Sequence, residues 1–267
     1  MTTGRGTRIA LSIVSALILV FIYVPIGLIF LYAFNDAASA AWPPAGLTLR
    51  WFAVAFANTA LQQAFLASIV AALGATLLAL TLGTLAALAV SRYHFFGRET
   101  VSFVVIFPIA LPGIVTGIAL LTAFAQIGFP LGMFTIIVGH ATFCIVLVYN
   151  NAIARLRRTA RSFEEASADL GADTFQTFRY VTFPALRTSL LAGALLAFAL
   201  SFDEIIVTLF VAGGVKTLPV WIFQSFRLNN QIPVVNVAGL IAILLSVIPV
   251  YIATRLSADD DVTGARG

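Results

Sequence analysis

From Thr100 to Ala154 the chain runs 55 residues without one Asp, Glu, Lys or Arg. Soluble domains average about 25% charged residues, so such a run has no place in a water-facing fold. It is long enough for two membrane-crossing helices of ~20 residues each, with a turn between them. That turn is signalled at Gly128-Phe129-Pro130, where glycine and proline interrupt the apolar pattern together. The two spans then fall near 101–124 and 131–150. A barrel strand needs only ~9–11 residues, and a helix satisfies its own backbone groups inside lipid. Helices are therefore expected.

The pattern extends along the whole chain, which is 61% hydrophobic and 10% charged. Four further spans are expected near 9–34, 63–90, 188–213 and 233–254. The fold class is an all-α membrane protein with six transmembrane helices. Its organisation is a short inner N-terminus (1–8), a six-helix domain (9–254) with a polar loop at 155–187, and a disordered tail (255–267). Arg5 and Arg8 followed by an apolar run resemble a leader peptide, but the run exceeds the ~7–15 residues of such a segment. A retained first span is expected. The single cysteine, Cys144, excludes an intramolecular disulfide.

Orientation follows from where the cations fall. With the N-terminus inside, Arg5, Arg8, Arg92, Arg98, Arg155, Arg157, Arg158, Arg161, Arg179, Arg187, Arg255 and Arg266 are inner, and Arg50, Lys216 and Arg227 outer. This bias puts both termini and the 155–187 loop in the cytoplasm. It also accounts for the basic balance without nucleic acid: membrane lipid is the expected surroundings.

The loop is the polar exception. Ser162 with Glu165 three residues on reads as a capping box that starts a helix at Phe163. Phe163, Ala166 and Leu170 share one face. Gly171 is placed to end the helix in a left-handed turn. Asp173 and Gln176 open a second short helix with Phe175, Phe178 and Thr182 on its face, and Pro184 is expected to stop it. Two short helices with apolar stripes on a polar loop are suited to docking on another protein.

Glu165-Ala166-Ser167, then three residues, Gly171, nine residues and Val181-Thr182-Phe183-Pro184, resembles the "EAA" loop of permease subunits of binding-protein-dependent ABC importers. The spacing agrees throughout, with Ser167, Val181 and Phe183 as conservative departures. The resemblance implies a type I (MetI-like) importer permease. It implies that Glu165, Ala166, Ser167, Gly171, Val181, Phe183 and Pro184 couple the chain to an ATPase. It also implies the partners: an ABC ATPase dimer, a second permease in a heterodimer, and an extracytoplasmic solute-binding protein.

Ionisable residues within a span cost ~2.5–3.5 kcal/mol each and mark functional positions. Asp203 and Glu204 are such a pair. The 15 residues from Thr188 to Phe202 are too short for a ~30 Å core, so this span is expected to continue through both acids to residue 211. One of them is expected to line a water-filled path that attracts a cation; the other reading is a buried structural pair. In the third span Pro108 and Pro112 should kink or open the helix, and Gly113 and Gly117 suit close packing. Pro112 and His140 join the candidate path, although a lone intramembrane histidine is also suited to a neutral hydrogen bond between helices. Trp42 and Trp51 fit a membrane interface.

No catalytic constellation or metal spacing is evident, and no cofactor is implied. Gly213-Gly214-Val215-Lys216-Thr217 fails as a phosphate-binding loop because Val215 stands where glycine must precede the lysine. No ATPase activity of its own is expected. His140-Ala141-Thr142-Phe143-Cys144, Ser201-Phe202-Asp203-Glu204 and Thr217-Leu218-Pro219-Val220-Trp221 are similar to the spermidine/putrescine branch of the family, from which the chain departs at Gly113, a position that often carries an acid there. The resemblance implies a small cationic solute. A secondary transporter using an intramembrane carboxylate and an importer of another solute are the alternatives.

Overall fold

The computed structural model describes residues 4–227 and 232–264, with side chains up to residue 256. Twelve α-helices follow in order: α1 (Arg5–Ala33), α2 (Arg50–Ala57), α3 (Thr59–Arg92), α4 (Arg98–Ile106), α5 (Gly113–Gln126), α6 (Met133–Arg158), α7 (Ser162–Asp169), α8 (Thr174–Thr177), α9 (Phe183–Phe202), α10 (Ile206–Val211), α11 (Leu218–Ser225) and α12 (Ile232–Gly264). Among the described residues there is no strand. Five helical segments are long and apolar enough to cross a membrane: α1, α3, α6, the continuous run Thr174–Phe202, and α12 up to Leu256. The bent pair formed by Arg98–Ala110 and Gly113–Gln126 makes a sixth if it crosses as one.

The third span opens at its prolines as expected, and the fifth and sixth differ from expectation. The third is broken: a 3₁₀ turn at Phe107–Ala110 separates α4 from α5, and the two are bent by 110°. Pro108 and Pro112 each lack an amide donor, so the ladder cannot run through them. The fifth ends at Phe202 instead of running through the acids. It can end there because it starts earlier, at Thr174, so that helix alone has enough length. The sixth runs on to Gly264, past residue 255 where a disordered tail was expected. Residues 250–263 contain no Gly or Pro to stop it. Residues 265–267, including Arg266, lie outside the described residues.

The chain divides into two compact units. The first comprises 1–62 and 222–243. In it Gly239 of α12 faces Ile29 of α1. The buried Asn35 side chain holds the segment after α1 by accepting from the Ala45 amide (2.9 Å) and donating to the Ser39 carbonyl (3.2 Å). Trp51 donates its indole N–H to the Asn35 carbonyl (2.9 Å), while Trp42 is exposed.

The second comprises 63–221 and 244–267. Its centre is α6, which packs on α9 and buries His140, Cys144, Val148 and Tyr149 among others. Small residues let backbones approach, as lipid-embedded helices require. Ala71, Ala75 and Ala79 line the buried stripe of α3. A Cβ at Gly83 would lie 3.0 Å from the Ile145 carbonyl, and one at Gly193 3.2 Å from Val148 Cα. α10 packs on α5 and α6. There Gly117 receives the Phe210 ring with no room for a Cβ, and Gly113 faces Ile206. The expected close-packing role of the two glycines is therefore met by α10.

Candidate functional site

Two regions carry the polar chemistry. The first is the loop between α6 and α9. α7 does not begin with a capping box at Ser162. Its N-cap is Arg161, whose carbonyl accepts from Glu164 and Glu165 (3.0 and 3.1 Å), and Ser162 is already helical. Glu165 instead pairs with Arg161 across one turn (3.3 Å) with both side chains exposed. Gly171 ends the helix as expected, at φ +87°. The Ala172 amide donates to Ser167 (3.1 Å) and the Gly171 amide to Ala168 (2.9 Å), the paired bonds of a Schellman end. Asp173 and Gln176 form the reciprocal capping box expected of α8.

Pro184 does not stop this second helix. A π turn over Phe178–Thr182 joins α8 to α9, and Pro184 sits in the first turn of α9. An early helical position tolerates proline because its missing donor is not needed there. The π turn also redirects the faces. Thr182 is buried and Phe178 half-buried, while Phe175 is exposed. Phe163 (63% exposed), Leu170 (90%), Phe175 and Tyr180 leave an uncovered apolar surface on the loop. Ala166 is exposed with them, Ser167 bonds Thr177 (3.1 Å), and Val181 and Phe183 lie in the turn into α9.

Beneath the loop lies an ion pair that sequence reasoning missed. Glu164 meets Arg92 Nε at 2.9 Å with side chains only 18% and 14% exposed. Arg92 Nη1 also donates to the Leu156 carbonyl (3.3 Å), and the Thr182 hydroxyl donates to Glu164 (3.1 Å). The partners are far apart in sequence, and Glu164 reads there as an ordinary first-turn acid beside Glu165.

The second region is where the broken spans meet. The start of α5, after Pro112, packs against the start of α10, after Glu204. The break after Pro112 and the unexpected end of the fifth span at Phe202 are thus one place in the fold. Glu204 is committed to structure: its carboxylate accepts from the Val207 amide (2.9 Å) and caps α10. Asp203 and Pro112 are exposed. His140, expected on the path, is wholly buried. Its Nδ1 meets the Ser201 hydroxyl and its Nε2 the Thr208 hydroxyl, both at 2.8 Å. One ring thus ties α6 to the end of α9 and to α10. Thr135 adds a second tie by donating to the Val211 carbonyl (2.6 Å). Cys144 is buried in packing, with its thiol against the Ala197 carbonyl (3.3 Å).

A family model described as the binding-protein-dependent transport system inner membrane component matches residues 79–259. The chain is 36% identical over 218 residues to the putrescine transport system permease protein PotI of Escherichia coli, covering 78% of this chain and 77% of that one. It is 32% identical over 249 residues to the spermidine/putrescine transport system permease protein PotC of the same species, covering 92% and 93%. Among solved structures it resembles a chain of a bacterial ABC transporter involved in import of the acidic polysaccharide alginate, at TM-score 0.69 and 20% identity over 97% of this chain and 99% of that one. It also resembles a chain of the inward-facing MetNI methionine ABC transporter, at TM-score 0.60 and 16% identity over 79% and 99%. At these identities the two structures speak for the fold.

Proposed function

Because the chain belongs to the family of binding-protein-dependent transport system inner membrane components, we propose that it moves a polyamine, spermidine or putrescine, inward past Asp203. It is the translocation subunit of an importer and a multi-pass membrane protein. The observation that carries the polyamine reading is the extent of its similarity to PotI and PotC, which reaches 92% of this chain. The geometry agrees with a cationic solute. Of the two acids at the break, Glu204 is used as a cap and Asp203 is exposed. A carboxylate beside a path through apolar surroundings attracts a cation more strongly than one in water.

The partners proposed are two copies of an ATPase, a second permease and an extracytoplasmic binding protein. Both termini and the 155–187 loop face the cytoplasm, and ATP is hydrolysed by the partner, not by this chain. The exposed apolar residues of α7 and α8 dock on that partner. Closure of the ATPase pair rocks the helices and opens the path to each side in turn. The energy reaches the path because the partner binds the two states unequally; equal binding shifts nothing.

Uptake of radiolabelled putrescine and spermidine in cells lacking this chain tests the reading. Loss of uptake, restored by the gene, is expected. Normal uptake of both, with loss of some other solute, would overturn the polyamine assignment and leave the importer.

A further inference from the structure

We infer that Arg92, Glu164 and Thr182 form the joint through which the α7–α8 loop moves the membrane helices. This rests on the proposed docking of the loop on an ATPase. Arg92 is the last residue of α3, Glu164 lies in the first turn of α7, and Thr182 closes the π turn before α9. The Arg92 guanidinium binds Glu164 and the Leu156 carbonyl near the end of α6. Glu164 in turn accepts from Thr182. Four segments, α3, α6, α7 and the π turn that leads into α9, therefore converge on one carboxylate and one guanidinium.

The joint is polar rather than packed. Its residues line a cleft of about 260 Å³ together with Leu88, Thr177 and Phe178. Push or pull on α7 is thus carried by discrete directional bonds, which transmit displacement better than contact across a gap. Both charges are largely shielded, so solvent screens the pair little. Glu165, by contrast, is exposed and bonded within α7, so the two neighbouring acids divide the work: Glu165 faces outward and Glu164 faces the helices.

The test uses the full complex in proteoliposomes, with spermidine and putrescine as the solutes. Solute uptake and binding-protein-stimulated ATP hydrolysis are measured together. Removing one charge alone strands the other, so the first variant is the double Arg92→Met, Glu164→Met, which keeps bulk and removes both charges. Assembly with the ATPase and near-normal hydrolysis are expected, with uptake reduced ~10-fold, within the roughly 5–150-fold range of a lost coupling between sites. Thr182→Val, which keeps the ion pair, should lower uptake per ATP by about 5-fold, and Thr182→Ser should restore it. A wild-type ratio of uptake to hydrolysis in the double variant overturns the joint. If the double variant does not assemble, the same ratio in Thr182→Val as in wild type overturns it. Absence of stimulated hydrolysis in the wild-type complex would instead count against the importer docking itself.

Discussion

His140 shows how a single side chain can be assigned a proton from geometry. The Thr208 hydroxyl donates to the Glu204 carbonyl (2.9 Å), so toward His140 it can only accept. Nε2 of His140 therefore donates to Thr208, and Nδ1 meets the Ser201 hydroxyl, so both ring nitrogens have partners. Thr208→Val leaves the Nε2 proton buried and unpaired, a loss of about 1–3 kcal/mol, and Thr208→Ser retains the bond. Thermal unfolding of the purified variants in detergent should separate the two, with only valine lowering the midpoint. The acids beside this ring differ in the same way. Glu204→Gln still offers an oxygen to the Val207 amide, so uptake should persist. Asp203→Asn removes an exposed charge that caps nothing, so uptake of labelled spermidine should fall strongly while stimulated ATP hydrolysis stays near normal. Full uptake in Asp203→Asn would exclude a cation path at this residue.

Among the elements, α7 depends most on its end. Gly171 holds the left-handed conformation at φ +87° with nothing within 4 Å of a would-be Cβ. Space is therefore not the constraint there; backbone conformation is. A β-branched residue at that position costs roughly 1–2 kcal/mol or more. Gly171→Val should let α7 run on and turn Phe163 and Leu170 away from their present face. Membrane insertion should be unchanged, and co-purification of the ATPase subunit should drop. Normal co-purification would show that the loop tolerates a different exit angle. The π turn is the other sensitive element. It absorbs one residue between Asp173 and Pro184, which turns Thr182 inward to Glu164 while Phe175 stays outward.

Across the whole molecule, the cation bias predicts that the loop faces the cytoplasm, and labelling can check it. Cys144 is fully buried and bonds only through its thiol, so Cys144→Ser gives a silent background. A cysteine at Ser39 should react with an impermeant thiol reagent from outside intact cells. One at Ser162, which is exposed on α7, should react only after permeabilisation. The reverse pattern would invert the orientation and remove the docking role of the loop. Asn229, a second outer-side position by the same count, lies outside the described residues.

The apolar spans apart from the ends of the fifth and sixth, the breaks at Pro108 and Pro112, the left-handed Gly171 and the cap of α8 were legible in the sequence. Each rests on local causes: transfer of apolar residues to lipid, a missing amide donor, a residue without Cβ, and a side chain bonding three residues away. What only the tertiary structure decided was which distant groups meet. Arg92 and Glu164 are 72 residues apart, and His140 meets Ser201 and Thr208 from 61 and 68 residues away. No periodicity marks such pairs, because each partner alone is an ordinary end-of-helix cation, first-turn acid or small hydroxyl. The length of the fifth span was misjudged for a related reason. A proline reads as a stop because the residue before it, here Phe183, is biased away from the helical region, whereas the π turn before Pro184 lets one continuous helix satisfy its backbone and leaves Asp203 and Glu204 outside it.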